Sequence, residues 1–195
     1  MRAIRIIQDE HRALAAVLHG ILYLVREIRY RGAKPNFDLF EAMVDYIHAF
    51  PERFHHPKEE AHLFPILRLR SVDAAALLDR LQGEHRASAD KIRALERALA
   101  HYREEGAEAF APFGAAVADY AAFHWDHAHA EENELLPLTE AFLTAADWEE
   151  VDVAFAGHSD PLASAKAGGD YATLFRRIVE LAPPPLGVGS ADSGR

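Results

Sequence analysis

The 195 residues contain no cysteine, which removes disulfides, thiolate metal ligands, iron–sulfur ligation and cysteine nucleophiles at once. Any metal ion must then be held by nitrogen and oxygen. Positive charge is scarce as well: 21 Lys and Arg stand against 31 Asp and Glu, a formal net charge of −10. Because phosphate binding needs clustered cations and these are scattered among acids, the balance argues against nucleic acid as a principal partner. Long apolar runs are also missing. No stretch approaches the roughly 20 residues of a membrane span, and the start, MRAIRIIQDEHRAL, has no small-residue cleavage site. A cytoplasmic location without membrane contact is the expectation.

What is present is helical periodicity. Half the residues are hydrophobic, enough to bury one good core in a single domain. Ile4, Ile7, His11, Leu14, Leu18, Leu22 and Val25 fall on one stripe of a first helix. Gly32 and Pro35 end it, and Asn36 can cap a second, whose inner face carries Phe40, Val44, Ile47, His55, Glu59 and Ile66. Pro51 and Pro57 predict a bend or a local break in that helix. Ser71 is a plausible cap for a third, with Leu78, Leu81, His85, Ala89, Ile92 and Leu99 in line, ended by Gly106. A fourth, from about Glu108, aligns Phe113, Ala116, Tyr120, Phe123, His127 and Glu131.

The expected fold class is all-α: an antiparallel up-down four-helix bundle over 1–143 with two shorter C-terminal helices in 144–182 and a flexible tail over 183–195. Thr144 with Asp147 reads as a capping box for the first of these short helices, and Asp170 as a cap for the second. The tail, PPPLGVGSADSGR, is rich in Pro, Gly and Ser.

Two eleven-residue stretches repeat one pattern, HHPKEEAHLFP from His55 to Pro65 and HAHAEENELLP from His127 to Pro137. A His and a Glu four apart sit one above the other on a helix, so each stretch offers an imidazole and a carboxylate on one face. Every bundle helix thus places one histidine on its inward stripe, His11, His55, His85 and His127, and the second and fourth add Glu59 and Glu131. A lone inward histidine is more often satisfied by a backbone carbonyl, but four in phase beside two buried carboxylates call for a cation. Nitrogen and oxygen donors without thiolate suit iron first, with manganese or zinc as alternatives.

Register within the first stretch stays open, because His56 and Glu60 repeat the spacing of His55 and Glu59 about 100° further round. The matched offsets to Pro65 and Pro137 favour His55 with Glu59. His48, His62 and His124 lie near the inward faces and are expected at the boundary, whereas His101, His129, Glu132 and His158 are expected in solvent. Tyr23, Tyr120 and Phe123 read as core packing.

Together, DEHRAL around His11, HHPKEEAHLFP, GEHR around His85 and HAHAEENELLP resemble the hemerythrin-like HHE cation-binding family, over roughly Ile4 to Phe142. The resemblance implies two non-haem iron ions with an oxo or hydroxo bridge, His11, His55, His85 and His127 as terminal ligands, and Glu59 and Glu131 as bridges. Oxygen-carrying hemerythrins differ: their third helix supplies two histidines four apart, and here Ala89 follows His85 at that spacing. Their fourth-helix carboxylate is an Asp five residues on rather than a Glu four on. One imidazole fewer implies an open coordination position, and so binding or sensing of O2, NO or peroxide in oxidative, nitrosative or iron stress rather than plain oxygen transport.

Two other classes stay beside that reading. One is a di-iron enzyme that decomposes peroxide, reduces NO or supports iron–sulfur repair, although repair proteins often carry an N-terminal cysteine-bearing segment absent here. The other is a metal-stabilised helical interaction module, for instance zinc-loaded. A homodimer is expected only from the commonness of such assemblies.

Overall fold

A computed structural model describes residues 1–156, 176–184 and 186–187. Among them every regular element is helical and there is no strand. The first helix, Arg2–Arg31, stops where Gly32 turns left-handed at φ 66° and returns its N–H to the Ile28 carbonyl at 3.2 Å, a conformation that a Cβ would oppose. Residues 37–70 form the second helical run. Asn36 caps it by accepting the Leu39 N–H at 3.0 Å, as its residue type predicts.

The prolines do not break this run. It opens into π-helical turns at Pro51–His55 and Glu59–Leu63 and continues as Phe64–Arg70. In these turns the His56 N–H reaches the Pro51 carbonyl and the Phe64 N–H reaches the Glu59 carbonyl, each five residues back. Both donors immediately precede a proline, Pro57 and Pro65. A proline has no N–H and its ring crowds the carbonyl four residues behind it, so the preceding turn widens by one residue and the helix survives. The fourth run, residues 110–142, repeats the device. Its π turn, Glu131–Leu135, closes with the Leu136 N–H on the Glu131 carbonyl, just ahead of Pro137.

The third helix is Ala75–Glu105, joined to the fourth through a tight turn at Gly106–Ala109. Ser71 does not cap it. The residue before the helix is Ala74, and Ser71 instead ends the second run in extended backbone, with a buried hydroxyl that makes no hydrogen bond. A turn intervenes, closed by the Ala75 N–H on Val72, and displaces the helix start from the serine.

After the fourth run a short helix, Ala145–Ala156, lies against the first. Its start is the expected capping box: Asp147 accepts from the Thr144 N–H at 2.8 Å and from its hydroxyl at 2.7 Å, while the Asp147 N–H reaches back to that hydroxyl at 3.3 Å. The cap expected at Asp170 lies outside the described residues, as does most of the expected tail. Residues 176–181 are helical, and Ile178 and Ala182 join the core.

The apolar core is divided in two. One cluster contains Leu18, Ile21, Phe40, Ile47, Phe113 and Val117, and the other Ile7, Leu63, Leu67, Leu78, Leu81 and Phe155. Between them each long helical run contributes buried polar residues: His11, then His55 with Glu59, then His85, then His127 with Glu131. The first and third helices pass from the second cluster to the first as the chain proceeds, and the second and fourth runs pass the other way. Each long run packs on two others, first with second and fourth, third with second and fourth. No helix among the described residues is long and apolar enough to cross a membrane.

Candidate metal centre

All six residues expected from the repeat and the inward stripes, His11, His55, Glu59, His85, His127 and Glu131, meet in the polar layer between the two apolar clusters, each at most 5% exposed. Glu131 stands at its centre. One carboxylate oxygen, Oε1, lies 3.1 Å from His127 Nε2 and 3.5 Å from His85 Nε2, while Oε2 lies 2.9 Å from His11 Nε2 and 3.7 Å from His55 Nε2. Each oxygen therefore faces its own pair of imidazoles. Glu59 Oε2 spans the same divide, 3.6 Å from His55 Nε2 and 3.5 Å from His85 Nε2.

A seventh residue joins them. His56, read from the sequence as lying off the inward stripe, is buried and its ring stacks on His85 with centroids 3.9 Å apart. At roughly 100° per residue, Glu59 projects about 40° from His55 and therefore between His55 and His56. If Glu59 points inward, the two histidines flank it, one towards the first helix and one towards the third. Among the described residues the donor atoms fall into the groups His11, His55 and Glu131; His56, His85 and His127; and Glu59, His85 and Glu131, with all ligand atoms of a group within 4.8 Å of one another.

The outer nitrogens of four of these imidazoles are held by carboxylates in a ring around the bundle. His55 Nδ1 donates to Glu10 at 2.8 Å, His85 Nδ1 to Glu60 at 2.7 Å, His127 Nδ1 to Glu84 at 2.8 Å and His11 Nδ1 to Glu132 at 2.9 Å. Each helix thus steadies the histidine of the next, first to second, second to third, third to fourth and fourth to first. A carboxylate on Nδ1 fixes the ring and leaves Nε2 free to face a cation. Glu132, expected in solvent, is part of this ring. Helical stripes alone do not select Glu10 and Glu84, yet the sequence carries their signal, since Glu10–His11 and Glu84–His85 are Glu-His doublets and Glu59–Glu60 and Glu131–Glu132 are Glu-Glu doublets. A neighbour of an inward residue sits on the helix flank that faces the adjacent helix.

Glu10 is itself buried and also accepts from Lys58 Nζ at 2.5 Å; Lys58 in turn lies 4.9 Å over the ring of Phe155. This contact connects the layer to the short helix Ala145–Ala156. The seven remaining histidines divide as follows, with His19 exposed beside Trp125. His124 is buried and its ring meets that of His11 edge-on at 6.3 Å. His48 pairs with Glu96 at 2.5 Å in a part-exposed position, His62 is half-buried, and His101 and His129 are exposed. His158 lies outside the described residues. Tyr120 is buried, and Tyr23 and Phe123 are half-buried.

Burial shifts the protonation of these groups, and the facing carboxylates and imidazoles shift one another's. Burial opposes protonation of His127, but the Glu131 carboxylate outweighs it and holds the pKa at about 10. His55 is likewise driven well above its ordinary value, against burial, by Glu59 and Glu10, and His11 is raised by Glu131 and Glu132. His56 goes the other way, depressed by burial and by its neighbours His85 and His55. Burial and the nearby Glu131 raise Glu59 to about 7, while Glu131, despite burial, is held well below the carboxylate range by His127 and His11. Burial and the facing imidazoles push His124 down to about 3.

Satisfaction of polar atoms tests whether a cation fits. Both oxygens of Glu59, both oxygens of Glu131 and the Nε2 atoms of His85 and His127 are buried without a hydrogen bond, although imidazoles stand at ion-pair distance. Such groups are rare because each costs about 1–3 kcal/mol. Gathered around one centre and aimed at one another, they match a donor set for cations with nitrogen and oxygen preference. Among curated proteins the chain finds no match. Residues 2–139 match the family described as the hemerythrin HHE cation binding domain. With those residues spanning the four long helices and their buried His and Glu layer, the chain belongs to the hemerythrin HHE cation-binding family.

Proposed function

We propose that this chain holds a pair of non-haem iron ions inside an antiparallel up-down four-helix bundle and uses them to bind or sense a small ligand, O2, NO or peroxide. The alternating order of the two apolar clusters along successive helices supports the up-down arrangement. His11 and His55 would serve one ion and His56, His85 and His127 the other, with Glu59 and Glu131 between them. Manganese or zinc would fit the same donors less selectively, since imidazole and carboxylate accept all three.

The carrying observation is the division of Glu131, with one oxygen facing His127 and His85 and the other facing His11 and His55. A carboxylate held this way is placed to bridge. Five imidazoles in place of four change the count behind the sequence expectation: with three on one side and two on the other, only the His11 and His55 side is short of donors. A paired iron centre there supplies Lewis acidity and a one-electron redox couple. The protein's own part is to exclude water with the two apolar clusters, to orient the rings through Glu10, Glu60, Glu84 and Glu132, and to keep the ligand small.

Size follows from the cavity beside the layer. Lined by Leu14, Phe50 and Phe123 on its apolar side and by His11, His55 and His127 on the other, it encloses about 10 Å³, room for about one water-sized molecule. The deciding experiment is metal analysis of aerobically purified protein with its near-ultraviolet and visible spectrum, before and after dithionite and NO. About two irons per chain, with bands that bleach on reduction and change with NO, are expected. One zinc, or no bands after anaerobic iron reconstitution, would overturn the reading in favour of a metal-stabilised helical module.

A further inference from the structure

Among the side chains that line the cavity outside the ligand set, one has a buried polar atom without a hydrogen bond. His124 lines it together with His11, His55 and His127, is 7% exposed, and has an Nε2 that makes no hydrogen bond. None of the described donor groups includes it. It sits one turn before His127 on the fourth run, about 60° round from it, so the same helix that carries a candidate ligand also carries this ring to the cavity wall. Of the other polar side chains that line the cavity outside the candidate ligands, Glu10 is bonded to His55 and Lys58, and Ser88 and Tyr120 are not among the buried polar atoms left without a hydrogen bond.

A buried ring nitrogen without a partner is costly, and a guest that hydrogen-bonds to it removes that cost as it binds. We propose that His124 is the positioning residue that hydrogen-bonds the outer atom of a small ligand held beside the paired ions, favouring ligands with a polar outer atom, such as azide or peroxide. The inference rests on the paired-metal reading. It adds a residue that touches the ligand and not the metal, and a selectivity that the donor set alone would not give. In the absence of a ligand, a single water fits the same space and can take the same hydrogen bond.

The test uses the full chain reconstituted with iron and oxidised, with azide as the probe, because azide binds without redox chemistry. Wild type, His124→Leu and His124→Gln are compared for iron content, for thermal unfolding and for azide affinity read from the azide-to-iron absorption band. All three are expected to hold the same iron. His124→Leu should bind azide about tenfold more weakly and shift the band, and His124→Gln, which restores a hydrogen-bonding group, should recover most of the affinity. Unchanged azide affinity in His124→Leu at full iron content would overturn the proposal. Loss of iron from both variants would overturn it too, by making His124 a ligand. A wild-type chain that takes up no iron would instead fail the paired-metal reading itself.

Discussion

At the scale of single residues, the layer is built from doublets. Inward members, His11, Glu59, His85 and Glu131, point to the centre, and their neighbours Glu10, Glu60, Glu84 and Glu132 reach sideways to the next helix's imidazole. Replacement of Glu84 by Gln keeps the shape and removes the charge behind His127. Metal affinity should fall about 10–100-fold with little change in helix content, a result that competition with a chelator measures. His56 offers a sharper test. A stripe argument centred on His55 makes His56→Ala nearly silent, whereas its burial and its stacking on His85 at 3.9 Å predict the loss of about one metal per chain at stoichiometric loading. Retention of both metals in that variant would return the site to four imidazoles. The four residues of the repeat, with His11 and His85, were legible because i, i+4 pairs and helical phase are local properties. His56 was not, because the inward direction of a helix depends on where its neighbours stand.

At the scale of elements, the prolines of the repeat acquire a physical role. Pro65 and Pro137 follow the π turns Glu59–Leu63 and Glu131–Leu135, and each turn begins at a central carboxylate. Five-residue hydrogen bonding rotates the chain less per residue than an α-helix does, so the turn sets the angle at which Glu59 and Glu131 enter the layer. Pro137→Ala frees the helix to close an ordinary α turn. The metal-free protein should then gain part of the about 3 kcal/mol that an interior proline costs, while metal affinity drops because Glu131 is turned away. Denaturant unfolding of metal-free protein and metal titration should therefore move in opposite directions, and a variant that loses both would show that Pro137 serves packing alone. The matched prolines were visible in the sequence, but whether they would break the helix or widen it was not. That outcome depended on packing that rewards a continuous helix on both sides of the layer.

At the scale of the whole molecule, a polar layer separates two apolar clusters, and its charge balance controls stability. In metal-free protein His127 is held at about 10 against an ordinary 6.5, so its contribution is fully present below pH 6.5 and is lost as pH rises through 10. Glu59, raised to about 7 from 4.5 by burial and by Glu131, adds a penalty in the same direction, growing as it ionises between those values. His124, held at about 3, and His56, also depressed, act the other way up to about pH 6.5, so metal-free protein should lose stability from about pH 7 to pH 10. Metal-loaded protein should not, because its ligands are already deprotonated and metal competes better as protons become scarce. The gap in unfolding temperature between the two forms is expected to widen with pH, reaching the equivalent of about 4 kcal/mol where metal stands a thousandfold above its Kd. Equal pH profiles would mean that the layer holds no metal in the folded protein.

By itself the sequence determined the helical class, the caps at Asn36 and Thr144, the four inward histidines and the two His-Glu pairs, because propensity, capping and helical phase act within a few residues along the chain. Tertiary structure decided what those local rules leave free. It set both His55 and His56 inside, because the inward direction falls between them. It kept the second helix continuous through Pro51 and Pro57, because opened turns cost less than parting from two apolar clusters. It also joined each helix's flanking carboxylate to an imidazole on the next helix, since such contacts exist only once four helices stand side by side.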